Sequence, residues 1–168
     1  MIDNPEIDEL DVKLLAALQH NARSTYAELG DLVGLKPSSV HDRVKRLEAR
    51  GYVRKYAAQL DGQLLGLGLT AFVSCYASAD TGYEEFTEAV KQLPEVCEVH
   101  SVAGEETYFL KVMTRSTAHL DDFLTRLKQI RGLVRSKTMI VLSTPFERGG
   151  IALGIAQSQP VRRLQRVS

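Results

Sequence analysis

Between Pro37 and Gly51 lie Ser38, Ser39, His41, Arg43, Lys45 and Arg46, with Lys36 just ahead of them. Short hydroxyls followed by cations are the groups that reach base edges and hold phosphates or guanines in a DNA major groove. Several of these residues have a plainer reading. Ser38 and Ser39 suit a helix N-terminus as caps, with Ser39-x-x-Asp42 in capping-box form. His41 also reads as an ordinary surface histidine, and Arg50 as a complement to the negative end of a helix. The remaining chemistry-bearing residues are dispersed. His20, His41, His100 and His119 have no metal-ligand spacing. Cys75 and Cys97 fall in apolar strand patterns and read as small core residues. Glu84-Glu85 and Asp121-Asp122 stand at helix starts, where acids favour the dipole. No catalytic residue, metal site or cofactor is expected.

The basic stretch needs a helix to present it. Val40, Val44 and Leu47 give that helix an apolar stripe, Pro37 opens it where a missing N–H costs nothing, and Gly51 stops it. With the stripe buried, the opposite face displays Ser38, Ser39, His41, Asp42, Arg43, Lys45 and Arg46. Upstream, Ile7, Leu10, Leu14, Leu15 and Leu18 recur at helical spacing behind Asp8, a fitting N-cap. After the break at Asn21-Ala-Arg23, Thr25 and Glu28 have capping-box spacing ahead of Leu29, Leu32 and Val33, and Gly34 ends this short helix. Two helices joined by a tight glycine turn can form a helix-turn-helix. Gly30, inside the second helix, costs about 1 kcal/mol relative to alanine there. A small residue at that point lets the third helix cross closely.

The chain has 168 residues, 44% hydrophobic and 25% charged, enough for one domain or two small ones with a real core. Disordered and collagen-like classes are excluded by that composition. Apolar runs fall far short of the ~20 residues of a membrane span, and the acidic stretch Met1 to Glu9 has no signal pattern. Two cysteines make no disulfide framework, so a cytoplasmic setting is expected. Lysine plus arginine (21) cancels aspartate plus glutamate (21), a balance that speaks against nucleic-acid binding only if the charges are mixed. They are segregated. Residues 34–60 hold seven basic side chains against two acidic ones, and residues 148–168 hold four arginines and no acid. Fields are screened beyond ~8 Å at physiological salt, so local potential governs the encounter with a polyanion.

The C-terminal part repeats itself. Strand patterns span Leu69 to Ala77, Val96 to Ala103, Tyr108 to Met113 and Val134 to Leu142. Helical patterns run through Phe86, Val90 and Leu93, and again through Phe123, Leu127 and Ile130 at an offset of 37 residues. Together these give βαββαβ, the ferredoxin-like arrangement. Thr70, Phe72, Ser74 and Tyr76 alternate with Ala71, Val73 and Cys75, so both faces of the first strand carry apolar atoms. A second sheet from another subunit is the simplest cover for the open face, which implies a homodimer.

From about Ile7 to Leu142 the chain resembles the Lrp/AsnC (feast/famine) family of bacterial and archaeal transcription regulators. The resemblance is carried by Ile7-Asp-Glu-Leu-Asp11, Asn21-Ala-Arg23, Glu28-Leu29, Val33-Gly-Leu35, Pro37-Ser38, Arg43-Val-Lys-Arg-Leu-Glu48 and Gly51-Tyr-Val53, in that order before a βαββαβ domain. It implies an α+β chain in which a helix-turn-helix (winged-helix-like) DNA-binding domain spans 1–52. A linking strand and hinge would follow at 53–66, then a ferredoxin-like effector-binding and oligomerisation domain at 67–146, then a basic flexible tail at 147–168. The implied partners are double-stranded DNA, an amino-acid effector bound between dimers, and further copies of the chain up to an octamer; no membrane is involved. Carried over by position, the effector site is Gly104, Glu106, Thr107 and Tyr108, joined by Ser136 and Thr138. The family's usual aspartate is replaced by Thr107, which cannot supply a charge to an ammonium group; Glu106 and the hydroxyl would substitute, or the ligand differs. Lys36 replaces a common capping serine and trades a cap for a phosphate contact.

The favoured reading is therefore a sequence-specific transcriptional regulator, not an enzyme. Its half-sites would lie roughly one helical turn, ~34 Å, apart, and alanine at both Arg43 and Arg46 is expected to weaken binding without unfolding. Tetrapyrrole decarboxylases of siroheme type share the architecture and form the rival reading, although they leave the basic helix unexplained. A DNA-compacting architectural protein is a third.

Overall fold

A computed structural model describes residues 7–78 and 82–153. Helix α1 (Glu9–His20) begins where the Asp8 carboxylate accepts the Asp11 N–H at 2.8 Å, and Asp11 bonds back to the Asp8 N–H to close a capping box. Thr25 and Glu28 repeat the device at the head of α2 (Tyr26–Val33). Gly34 ends α2 at φ 72°, a left-handed conformation that only glycine adopts freely. Pro37 is the first residue of α3 (Pro37–Ala49). Leu14, Leu18, Leu29, Val40 and Val44 form the core of this three-helix unit. A Cβ on Gly30 would lie 2.5 Å from the Leu35 carbonyl oxygen, so the glycine makes room for the turn backbone itself as it leads into α3.

The second unit runs from Leu60 to Glu147. It contains β1 (Leu69–Ala77), α4 (Tyr83–Lys91), β2 (Val96–Ser101), β3 (Tyr108–Thr114), α5 (Thr117–Lys128) and β4 (Leu133–Ile140). The strands form one antiparallel sheet in the order β2-β3-β1-β4. Phe86 and Phe123, equivalent positions of the internal repeat, are both fully buried against Val73, Cys75, Leu110 and Val112. Each methyl-bearing group removed from such a core costs more than its transfer energy, because a cavity remains. A carboxylate also holds the layers together. Glu95, just before β2, is nearly buried and accepts from Arg126 and from His119 Nε2 at 2.8 Å, both on α5. Burial opposes its charge, but the donors from Arg126, its own backbone and His119 outweigh that and hold its pKa below the usual value.

Two expectations are corrected, for the tail and for Cys97. In the single chain no strand appears among the described residues before β1, where the linking strand at 53–66 is expected. An isolated strand has no neighbour to satisfy its N–H and C=O groups, and part of the segment turns instead. There the Asp61 carboxylate accepts from Gln63 and Leu64, and the Leu67 N–H bonds the Gly62 carbonyl at 2.7 Å. The start of the tail does not leave freely after 147. Its described residues, 148–153, group with the helical unit, and the Gln19 side chain makes two hydrogen bonds to the Ile151 backbone, at 2.8 and 3.0 Å. Arg162, Arg163 and Arg166 lie outside the described residues. Cys75 is buried as expected, its thiol pushed up to about 12 by burial, but Cys97 is exposed on edge strand β2.

Candidate nucleic-acid interface

Helix α3 buries Val40, Val44 and Leu47 and turns Ser38, Ser39, His41, Asp42 and Lys45 to solvent. Lys36 occupies the N-cap without a side-chain hydrogen bond, and Ser38 and Ser39 lie inside the first turn, so neither serine caps the helix. The backbone N–H groups of that turn and the serine hydroxyls lie at the same end, which suits a phosphate oxygen. His41 stands edge-on to the Tyr26 ring of α2, with centroids 5.2 Å apart, and its Nδ1 is 3.1 Å from an Asp42 carboxylate oxygen. Lys45 donates to Glu48 at 3.1 Å, and Glu48 accepts Tyr56 O–H at 2.8 Å. Tyr56 first, then Lys45, hold Glu48 below the usual carboxylate pKa. Burial first, then this carboxylate, pushes the Tyr56 phenol up to about 12.

Arg43 and Arg46 are placed differently. Both lie on the flank of α3 that faces α1. Arg43 Nη1 donates to Asp8 at 2.6 Å and to Asp11 at 2.8 Å, and Arg46 Nη2 reaches both oxygens of Asp11 at 3.3 and 3.4 Å. The Asp11 side chain is 2% exposed and Arg43 24%, so this is an internal clamp between α1 and α3. Alanine at Arg43 is therefore expected to cost stability as well as binding. Withdrawing a partner from a buried carboxylate strands its charge, which costs about 3–5 kcal/mol when no other partner remains. Arg46, 45% exposed, keeps donors outward and remains available to a phosphate. In the sequence, Asp8 and Asp11 read as helix-start residues and this second use stays hidden; only the acid-x-x-acid spacing opposite Arg-x-x-Arg hints at it.

At one end of the sheet the expected effector residues come together in part. Glu106 accepts Tyr76 O–H at 3.2 Å, and the Arg135 guanidinium lies 4.0 Å from the centre of the Tyr76 ring. The Thr107 hydroxyl accepts the Ala77 N–H at 3.1 Å, so it extends the β1–β3 ladder and keeps a proton to donate rather than a charge to offer. Ser136 pairs with Cys75 and Thr138 with Val73, which puts both on the helix-facing side of β4. Ser136 borders a hollow of about 310 Å³ with Lys128, Leu133, Val134 and Arg135. Gly104 is exposed in the turn between β2 and β3. The Tyr108 side chain is a correction: it is 2% exposed and its ring stacks on Phe86 at 4.3 Å, so it is core and cannot line an open site. Tyr76 and Arg135 escape a sequence reading, because only strand register brings them together. Among the described residues no group of histidine, cysteine and carboxylate side chains could hold a metal ion, and no helix is long and apolar enough to cross a membrane.

Comparison with known proteins agrees with both units. Residues 7–48 match the family model of the AsnC-type helix-turn-helix domain, and residues 70–151 match that of the Lrp/AsnC ligand binding domain. The HTH-type transcriptional regulator LrpA of Mycobacterium tuberculosis is 35% identical over 84% of this chain and 93% of its own length. A transcriptional regulator from Neisseria meningitidis, solved as a complex with L-Met, superposes with a TM-score of 0.86 at 31% identity, covering 90% of this chain and 99% of that one. The structure of Escherichia coli AsnC gives a TM-score of 0.80 at 30% identity over 86% and 97%. The helix-turn-helix, the four-stranded antiparallel sheet with its helices, and these relatives agree: the chain belongs to the Lrp/AsnC family of helix-turn-helix transcriptional regulators.

Proposed function

We propose that the chain acts as a homodimer that reads double-stranded DNA through α3 and has no enzymatic role. The single observation that carries this is the solvent face of α3, where Ser38, Ser39, His41 and Lys45 stand clear of the core with Lys36 at the helix entrance. Ser38, Ser39 and His41 reach base edges, Lys36, Lys45 and Arg46 hold phosphates, and Arg43 fixes the angle of the helix. Two such helices in a dimer would enter successive major grooves about 34 Å apart. The open sheet face favours dimer formation: Phe72 and Phe109 stack there at 5.4 Å beside Met113, Tyr76 and the part-exposed Met139. Assembly beyond the dimer, up to an octamer, and a cytoplasmic site of action belong to the same reading.

A small effector bound between dimers would meet the sheet end at Gly104, Glu106 and Thr107 of one subunit and the helix-facing side of β4, at Ser136 and Thr138, of another. An amino acid is the favoured class, in line with the L-Met complex of the Neisseria relative. Here Glu106, not Thr107, supplies the negative charge for an ammonium group, with Tyr76 holding it in place. Selection of genomic fragments by the purified protein, with and without a panel of amino acids, tests the whole reading. Recovery of a common motif whose enrichment changes with one amino acid supports it, whereas fragments drawn without sequence preference would point to DNA compaction instead.

A further inference from the structure

The chain crosses from the helical unit to the sheet unit at 59–60 and returns at 147–148. Each crossing is held on both sides. The first follows α3, whose end is fixed by Gly51 at φ 78° and by the Tyr52 N–H on the Leu47 carbonyl at 3.0 Å. Tyr56 O–H then holds the chain to Glu48 at 2.8 Å, and the Asp61 turn belongs to the sheet unit, where Gly62 is pressed against Met113. The second crossing starts at Glu147, which accepts from Lys111 at 2.9 Å within the sheet unit. It is caught on α1 by Gln19, whose side-chain amide donates to the Ile151 carbonyl and accepts the Ile151 N–H. Between those two holds lie Arg148, Gly149 and Gly150. Fully extended, 56–61 spans about 18 Å and 147–151 about 14 Å, so both tethers are short.

The two glycines make the second hold possible. Gln19 lies across Gly150, where a Cβ would come within 2.6 Å of its Cγ and Nε2. A Cβ on Gly149 would stand 3.0 Å from Gln59 Oε1, so the two crossings run side by side. Ile151 is exposed, so the backbone hydrogen bonds to Gln19, not apolar burial, place it there. We propose that Gln19 is a positioning residue for DNA binding: it clasps the tail into a second tether, which restricts the half-site spacing that the dimer accepts. The proposal rests on α3 reading DNA in a dimer. A unit on one tether can swivel about it, whereas a second tether held at both ends removes the swivel and leaves bending. Each base pair inserted between half-sites adds about 3.4 Å and turns one of them by about 34° relative to the other. Bending follows the distance, but only a swivel follows the turn. The effective concentration of the second helix at its half-site therefore falls sharply away from one spacing.

The test is binding of the full-length protein to duplexes that differ only in the spacing of two selected half-sites, with a single half-site as the reference. Two added base pairs should cost the wild type about tenfold in affinity and Gln19→Ala about threefold or less, while both proteins bind the single half-site equally. Gly150→Ala should behave like Gln19→Ala, because its Cβ displaces the Gln19 side chain. In the double variant it should add nothing, since the obstructed side chain is gone. Gln19 is exposed, and thermal melts check that the variants keep the wild-type fold. A wild-type spacing profile that persists in Gln19→Ala, or additive effects in the double variant, overturns the clasp and leaves the DNA-binding reading intact. So does a wild type that binds paired half-sites without regard to spacing. Failure of the wild type to bind any half-site overturns both.

Discussion

At the scale of single residues, α3 divides its cations between two tasks. Arg43 belongs to the fold, because Asp11 is buried and accepts from it at 2.8 Å. Arg43→Ala should lower stability to chemical denaturation by about 1–3 kcal/mol, below the range for a fully stranded buried carboxylate, since Arg46 still reaches Asp11. An unchanged denaturation midpoint would show that the clamp is ornamental. Asp8 adds a pH dependence. The backbone N–H of Asp11 first, then Arg43, hold its carboxyl below the ordinary value. A carboxyl whose folded pKa is depressed contributes stability above its unfolded pKa and loses it as pH falls through the folded one. Asp8→Asn should therefore flatten the acid limb of the stability curve below about pH 4 relative to wild type, measured by thermal melts across pH. Neither role is legible in the sequence. Asp8 and Asp11 are readable as a helix start, because capping is a matter of three-residue spacing, but their partners lie 32 to 35 positions away. Tyr108 misleads for the converse reason: its neighbours in sequence form an exposed turn, while strand alternation sends its own ring into the core.

Helices and strands are the most readable level. The Asp8 N-cap, the Thr25–Glu28 capping box, the glycine stop at Gly34 and the start of α3 at Pro37 are local signals, and each is where the sequence puts it, whereas the Ser39-x-x-Asp42 spacing forms no cap. The segment at 53–66 is not readable, because whether an extended run becomes a strand depends on a neighbour that the chain itself does not supply. Gly30 shows how packing overrides propensity. Alanine there would gain about 1 kcal/mol of helix preference, yet its Cβ would meet the Leu35 carbonyl oxygen at 2.5 Å, against backbone that cannot simply swing away. Gly30→Ala should destabilise the helical unit by about 1–3 kcal/mol net. A stabilised variant would mean that the turn between α2 and α3 is freer than the close contact implies.

For the whole molecule, the zero net charge is the sum of two units of opposite charge. The basic stretch 34–60 lies on and after α3, whereas the sheet unit is acidic and carries an open face with apolar side chains. The α1 acids that balance the total do structural work at Asp8 and Asp11, so they do not neutralise the exposed face of α3 in proportion to their number. Placing a charge on the open sheet face, as in Phe72→Asp, should shift the protein towards monomer in sedimentation equilibrium and weaken DNA binding through loss of the second half-site. A variant that stays dimeric would move the interface elsewhere.

The DNA-contacting role of the exposed face of α3 is tested most directly by the salt dependence of binding. Lys36→Ala/Lys45→Ala alters two exposed side chains that the core does not need. On a selected DNA fragment its log–log slope of affinity against salt should be shallower than wild type by about 0.9 for each phosphate that the variant leaves unneutralised, with the footprint weakened at unchanged stability. A folded double variant with the wild-type slope and footprint would contradict the assignment.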